Sequence, residues 1–254
     1  MREIWAFDNR SWLVITRTFF PRESLQIYRY KGLDILTDTN SGDANGAREV
    51  LTSPMYRKFL PLMKLENSLN ILDLGANNGG FPLLLASSGF QLKKVVSVEF
   101  NPKTFIRLHF NLLRNVRGVA VPLNAALCGE DTMLNVSIGD GSVSDSIYEQ
   151  NSELGAETYE IEGKSFDSLY NEHFNNETID ICKIDVEGAE FDVFRQPFHS
   201  AIVNCRYLLI EIHEHEGRDK NDVLSVIGNL GFVRQEIGTE GDPWVHFFVN
   251  SSFN

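Results

Sequence analysis

Leu69-Asn70-Ile71-Leu72-Asp73-Leu74-Gly75-Ala76-Asn77-Asn78-Gly79 is an apolar run that stops at an acid and a glycine-bearing turn. Leu69 to Leu74 reads as a buried strand. Gly79 to Ser88 reads as the helix that follows, with Pro82 tolerable in its first turn. Glycines in such a turn allow a tight bend and a close approach of ligand to backbone. The unpaired N–H groups opening the next helix form a natural anion site.

The same alternation extends outward. Val95 to Glu99 is a second strand, and its terminal Glu99 lies 24 residues after Gly75, where an acid can accept both hydroxyls of a ribose. Asn101-Pro102 opens a helix running to Asn115, with Phe105, Leu108 and Leu112 at helical spacing; Val119 to Leu123 is a third strand. Strands over Ile179 to Asp185 and Tyr207 to His213 are each followed by a helix, near Ala189 to Phe194 and over Asp219 to Leu230. Phe232 to Ile237 and Val245 to Val249 make a closing antiparallel pair. This order predicts an α/β fold, a mostly parallel sheet with helices on both faces.

Two stretches break the rhythm. Residues 129–165 read as an antiparallel insertion, with short strands at Met133 to Ile138 and Thr158 to Ile161. Between them the polar segment Gly139 to Ser146 is a flexible loop, either closing over the site or simply an exposed turn. Residues 1–66 form a β-rich N-terminal extension to the core domain 67–254. Ser11 to Phe20 and Leu25 to Leu36 suggest strands, and Thr37 to Ala47 a polar loop. The extension is expected to pack as a hairpin on the core, or to serve as a substrate lid or dimer contact.

Bulk properties exclude some functions. A net charge of −12 repels phosphate backbones, which disfavours a nucleic-acid partner. No apolar run approaches the ~20 residues of a membrane span, and acidic residues interrupt the N-terminus before any signal-like stretch begins. Cys128, Cys182 and Cys205 fit neither a disulfide framework nor a zinc motif, so a reducing cytoplasm is the simplest compartment. A small molecule or saccharide is the expected substrate, and a homodimer is open.

Two cofactors suit a strand, glycine turn and ribose-binding acid. A dinucleotide usually requires G-x-G-x-x-G, whereas the glycines here are Gly75, Gly79 and Gly80. The D-x-G-x-x-x-G pattern instead resembles the first motif of class I methyltransferases. The segment Lys183-Ile184-Asp185-Val186-Glu187-Gly188-Ala189-Glu190 resembles, residue for residue, the signature of the FkbM methyltransferases. Glu99 with Asn101-Pro102, Asn111, Ala126-Leu127, Ser165 to Leu169 and Glu211-Ile212-His213 keep that family's order, so the likeness spans about residues 70 to 232. Phe100 departs from it, standing where the family commonly has proline, and could still stack on adenine.

The resemblance implies a doubly wound, seven-stranded Rossmann-like sheet with an antiparallel C-terminal strand. It implies S-adenosylmethionine as cofactor, S-adenosylhomocysteine as product, and methyl transfer to a hydroxyl of a sugar, glycan or glycosylated small molecule. The loop Gly75-Ala76-Asn77 to Gly79 would hold the amino-acid end of the cofactor, with Asp73 reaching its ammonium group directly or through water. Glu99 would hold the ribose, and Phe100, Asn124 and Ala125 the adenine. A non-sugar natural product as acceptor, a nicotinamide-dependent oxidoreductase and a silent binding module are the alternatives.

Asp185 ends a central strand, where open α/β sheets bind ligands, and alternation puts it on one face with Lys183. It is expected beside the cofactor as well as in catalysis. Lys183 and Glu211, from neighbouring strands, are expected to form a buried pair. An alkyl hydroxyl needs its proton accepted; His213 is the best base by chemistry, Asp185 by location, and Glu187 is a third choice. Glu190 is read as serving the helix dipole. His213 and His215 share a face that Asp185 could join to hold a metal, but the reading without a metal is preferred.

Overall fold

The computed structural model describes residues 2–20, 22–41, 44–65, 68–138, 157–195, 197, 199–214, 217–236 and 244–253. After a short 3₁₀ turn at Arg2–Ala6 come α1 (Arg10–Phe19), β1 (Leu25–Tyr30), β2 (Leu33–Asp38) and α2 (Glu49–Thr52). The core follows as β3 (Leu69–Leu74), α3 (Gly80–Ser87), β4 (Leu92–Glu99), α4 (Pro102–Asn115), β5 (Ala120–Leu127), β6 (Thr132–Ile138) and β7 (Glu157–Lys164). It ends with α5 (Phe166–His173), β8 (Ile179–Ile184), α6 (Glu190–Arg195), β9 (Cys205–Glu211), α7 (Lys220–Asn229), β10 (Phe232–Gln235) and β11 (Val245–Asn250).

The main sheet has the order β10-β11-β9-β8-β3-β4-β5-β7-β6 among the described residues. β9, β8, β3, β4, β5 and β7 run parallel, whereas β11 is antiparallel to β9 and β6 to β7. The doubly wound, mostly parallel fold is as expected, but the sheet has nine strands rather than seven. The extra two come from the insertion. Ala125–Leu127 of β5 pair with Glu162–Lys164 of β7, so the hairpin lengthens the sheet instead of standing apart from it. The Gly139 to Ser146 loop lies outside the described residues.

Leu72, Val96, Cys182 and Leu208 bury one face of the sheet under α5, α6 and α7. Leu69, Ile71, Val95 and Leu209 bury the other against α3 and the N-terminal extension. None of the described helices is long and apolar enough to cross a membrane. All three cysteines are buried free thiols.

The extension differs from expectation. Ser11 to Phe20 is helical, not a strand. Its β-branched and aromatic residues suit a strand intrinsically, but Asp8 and Asn9 have already taken the edge of β1. The Asp8 N–H donates to the Arg29 carbonyl, and the Asn9 side chain bonds Ile27 and Arg29. With that edge spent, the chain satisfies its own backbone as a helix. The extension is therefore mixed rather than β-rich.

β2 is anchored by asparagine side chains standing in for a partner strand. Asn111 on α4 accepts from the Leu36 N–H at 2.6 Å and donates to the Leu36 and Asn78 carbonyls. Asn115, one turn on, does the same for Asp34. Asn111 is fully buried, so Asn111→Leu strands three backbone groups. A stability loss of about 3 kcal/mol is expected by urea titration; a change below about 0.5 kcal/mol would show that these bonds are replaceable.

Candidate active site

At the carboxyl ends of β3, β4, β5, β8 and β9 the chain encloses a cavity of about 260 Å³. Its floor is the turn after β3. Gly75 and Asn77 take positive φ of 75° and 48°, and the Gly75 and Ala76 N–H groups both donate to the Val98 carbonyl. Glu99 is buried in the wall, where its carboxylate accepts from the Asn77 and Asn101 N–H groups. Asn101 also caps α4, as its Asn-Pro pairing suggested.

Gly75, Ala76, Asn77, Glu99, Phe100, Ala125, Asp185 and Glu187, all expected at the site, line this cavity. Others of the expected set do not. Asp73 is fully buried beneath the turn, its carboxylate facing the Lys183 ammonium at 3.6 Å, and cannot touch a ligand directly. Gly79 starts α3 against Leu108 and Leu112, so its missing side chain serves packing. Asn124 lies within β5 rather than after it, since the strand continues to Leu127. Its amide nitrogen donates to the Glu99 and Phe100 carbonyls.

Lys183 is the electrostatic centre. Its ammonium lies 3.2 Å from Asp185, 3.6 Å from Asp73 and 3.0 Å from the Gly75 carbonyl, to which it donates. Burial alone would lower its pKa, but Asp185 and Asp73 outweigh that and raise it. The expected Lys183–Glu211 pair is not the contact made. Lys183 is level with Leu209, so Glu211 lies two residues further along its strand. Glu211 accepts instead from the Tyr56 hydroxyl of the N-terminal extension. Burial pushes both the Glu211 carboxyl and the Tyr56 hydroxyl well up.

His213 follows β9 and stands behind the cavity wall, its Nε2 3.5 Å from Glu187 and 3.9 Å from Asp185. Nδ1 is 3.1 Å from Glu190 Oε1, which also accepts from the Val186 N–H. Glu190 is wholly buried, so its role is to orient this ring, a function beyond the helix-dipole reading. Burial would lower the His213 pKa, but the bond to Glu190 and the charges of Glu190, Glu187 and Asp185 carry it up to about 9. The ring thus sits among three carboxylates that favour its protonated form. Burial raises Glu187 against the opposing pull of His213, and its backbone holds a strained φ of 51°.

Asp185, Glu211 and His213 each offer a ligand atom within 4.8 Å of the others, a set able to hold a metal ion. His215 lies outside the described residues.

The N-terminal extension supplies site residues that sequence reasoning missed: Gly46, Glu49, Val50, Met55 and Tyr56 line the cavity. The Ala47 N–H donates to the Asn78 side chain, tying the extension to the glycine turn. No periodicity or motif marks these residues; only the chain's return over the sheet brings them in.

Parallel strands with a glycine turn and an acidic second strand end, opening on one cavity, define a Rossmann-like methyltransferase fold. The family model described as the methyltransferase FkbM domain matches residues 73–237, and the chain belongs to that family. The methyltransferase FkbM of Methylobacillus flagellatus KT is similar in fold, at 16% identity and a TM-score of 0.52. The alignment covers 77% of this chain but only 47% of that one, so this chain spans about half its length. Aeropyrum pernix fibrillarin with natively bound S-adenosyl-L-methionine aligns at TM-score 0.45 and 16% identity, over 89% of this chain and 83% of its own. No curated protein matches the chain significantly by sequence.

Proposed function

We propose that the chain is an S-adenosylmethionine-dependent O-methyltransferase acting on a hydroxyl of a sugar, glycan or glycosylated small molecule, in a reducing cytoplasm. One observation carries the reading: a single cavity joins the Gly75 turn and Glu99 to the acids Asp185 and Glu187. The residues present suit the cofactor. Glu99 offers lone pairs to vicinal hydroxyls, and the carboxylates favour a sulfonium cation over an anion. Bound there, S-adenosylmethionine supplies an electrophilic methyl group.

The chain's own residues then hold an acceptor hydroxyl in line and take its proton. Alignment contributes up to roughly 7–11 kcal/mol. With His213 protonated, Glu187 accepts the proton, while Glu190 and His213 keep its carboxylate placed. Asp185 faces the cofactor. Glu187→Gln is expected to lower turnover by about 10²–10⁴-fold, with S-adenosylhomocysteine affinity by calorimetry unchanged. Turnover should be level between neutrality and the His213 pKa of about 9. A rate climbing tenfold per pH unit over that interval would transfer the base role to His213. Mass spectrometry of reactions with a saccharide panel tests the class: gain of one CH₂ supports it, and methylation only of non-sugar acceptors overturns it.

A further inference from the structure

α1 carries an apolar stripe that none of the described residues covers. Leu13, Thr16 and Arg17 face inward: Leu13 is buried, Thr16 bonds Gln26, and Arg17 donates to the Tyr28 hydroxyl. The stripe Trp12, Ile15 and Phe19, at helical spacing on another face, is 60%, 44% and 73% exposed. Trp5, in the 3₁₀ turn packed beside α1, is 67% exposed. Large aromatics exposed together on one element mark an interaction surface.

Charge selects the partner. Residues 9–22 include Arg10, Arg17 and Arg22 and no acid, within a chain of net charge −12. Arg10 and Arg22 are exposed and make no ion pair among the described residues. A short helix with tryptophan and phenylalanine on one side and an exposed arginine at its start and just past its end has the composition of an interfacial membrane helix. Its aromatics lie at the headgroup level and its arginines meet anionic lipid. Two copies meeting through this face would set the same arginines against each other, which disfavours a symmetric dimer there.

We infer that α1 docks the protein on an anionic lipid surface, with Trp12, Ile15 and Phe19 inserted and Arg10 and Arg22 against lipid headgroups. The acidic remainder of the chain is repelled by the same surface, so docking is oriented through the extension. Because Glu3 of the 3₁₀ turn pairs with Arg48 at 2.8 Å, and the adjoining Glu49 and Val50 line the cavity, the docked element is linked through that turn to the cavity wall.

Cosedimentation of the full chain with vesicles tests this without reference to activity. Binding is expected to phosphatidylglycerol–phosphatidylcholine vesicles, to weaken in high salt, and to be at least tenfold poorer on phosphatidylcholine alone. Trp12→Ser with Phe19→Ser should lower binding more than tenfold, and Arg10→Glu with Arg22→Glu about tenfold, with thermal melts unchanged. No binding by the wild-type chain, or binding that the variants leave intact, overturns the inference. A dimer in sedimentation equilibrium that Trp12→Ser with Phe19→Ser dissolves would assign the stripe to a second copy and overturn it too.

Discussion

Lys183→Met is expected to lower the stability of the protein by about 3–5 kcal/mol, read from urea unfolding at neutral pH. Methionine fills much of the same volume, so the loss would be electrostatic. Lys183 is the cation lying against both Asp73 and Asp185, and Asp73 is entirely buried with neither oxygen hydrogen-bonded. Burial raises Asp73 to about 6 even beside that cation; without it the carboxyl rises further. A carboxyl with a raised folded-state pKa binds its proton more tightly in the native state, so stability is gained as pH falls through the folded pKa. The variant should therefore recover part of the loss on moving from alkaline to mildly acidic buffer. A stability loss under about 1 kcal/mol would mean that another group neutralises Asp73.

Gly75→Ala should reduce S-adenosylhomocysteine affinity at least about 100-fold and destabilise the fold by about 3 kcal/mol or more. A Cβ at this position would fall 1.6 Å from the Asp185 carbonyl oxygen and 2.7 Å from its carbon. That carbonyl cannot simply swing away, because the Asp185 N–H is bonded to the Leu74 carbonyl at the adjoining strand end. Relief requires the ends of β3 and β8 to part, and the cavity floor with them. Gly89→Ala is the control. Gly89 has a similar φ of 89° with nothing within 4 Å of the added atom, so only the cost of the left-handed conformation, about 1–2 kcal/mol, applies. Equal losses in the two variants would show that backbone conformation, not the close approach, makes glycine necessary at position 75.

Local pattern and register were legible where one element decides them. The apolar run into Asp73 and Gly75, the Asn101-Pro102 cap and the Lys183 to Glu190 segment each state their structure within a few residues. The neighbours in space were not legible. Alternation correctly put Lys183 and Asp185 on one face, yet the lysine's partners proved to be Asp185 and Asp73 rather than Glu211, because the registers of β8 with β3 and with β9 decide which acid is level with it. Glu190 looked like a dipole residue because its contact with His213 spans two elements.

The sequence by itself determined the doubly wound sheet, the glycine turn, the glutamate ending the second core strand and the family, since strand period, turn chemistry and short motifs are local properties of the chain. Only the tertiary structure decided that the N-terminal extension walls the cavity with Met55 and Tyr56, that the insertion joins the sheet edge, and that His213 is set among Asp185, Glu187 and Glu190. Each of these depends on groups far apart in sequence meeting in a desolvated space. There burial and the sum of neighbouring charges set position and protonation, and no window along the chain contains them.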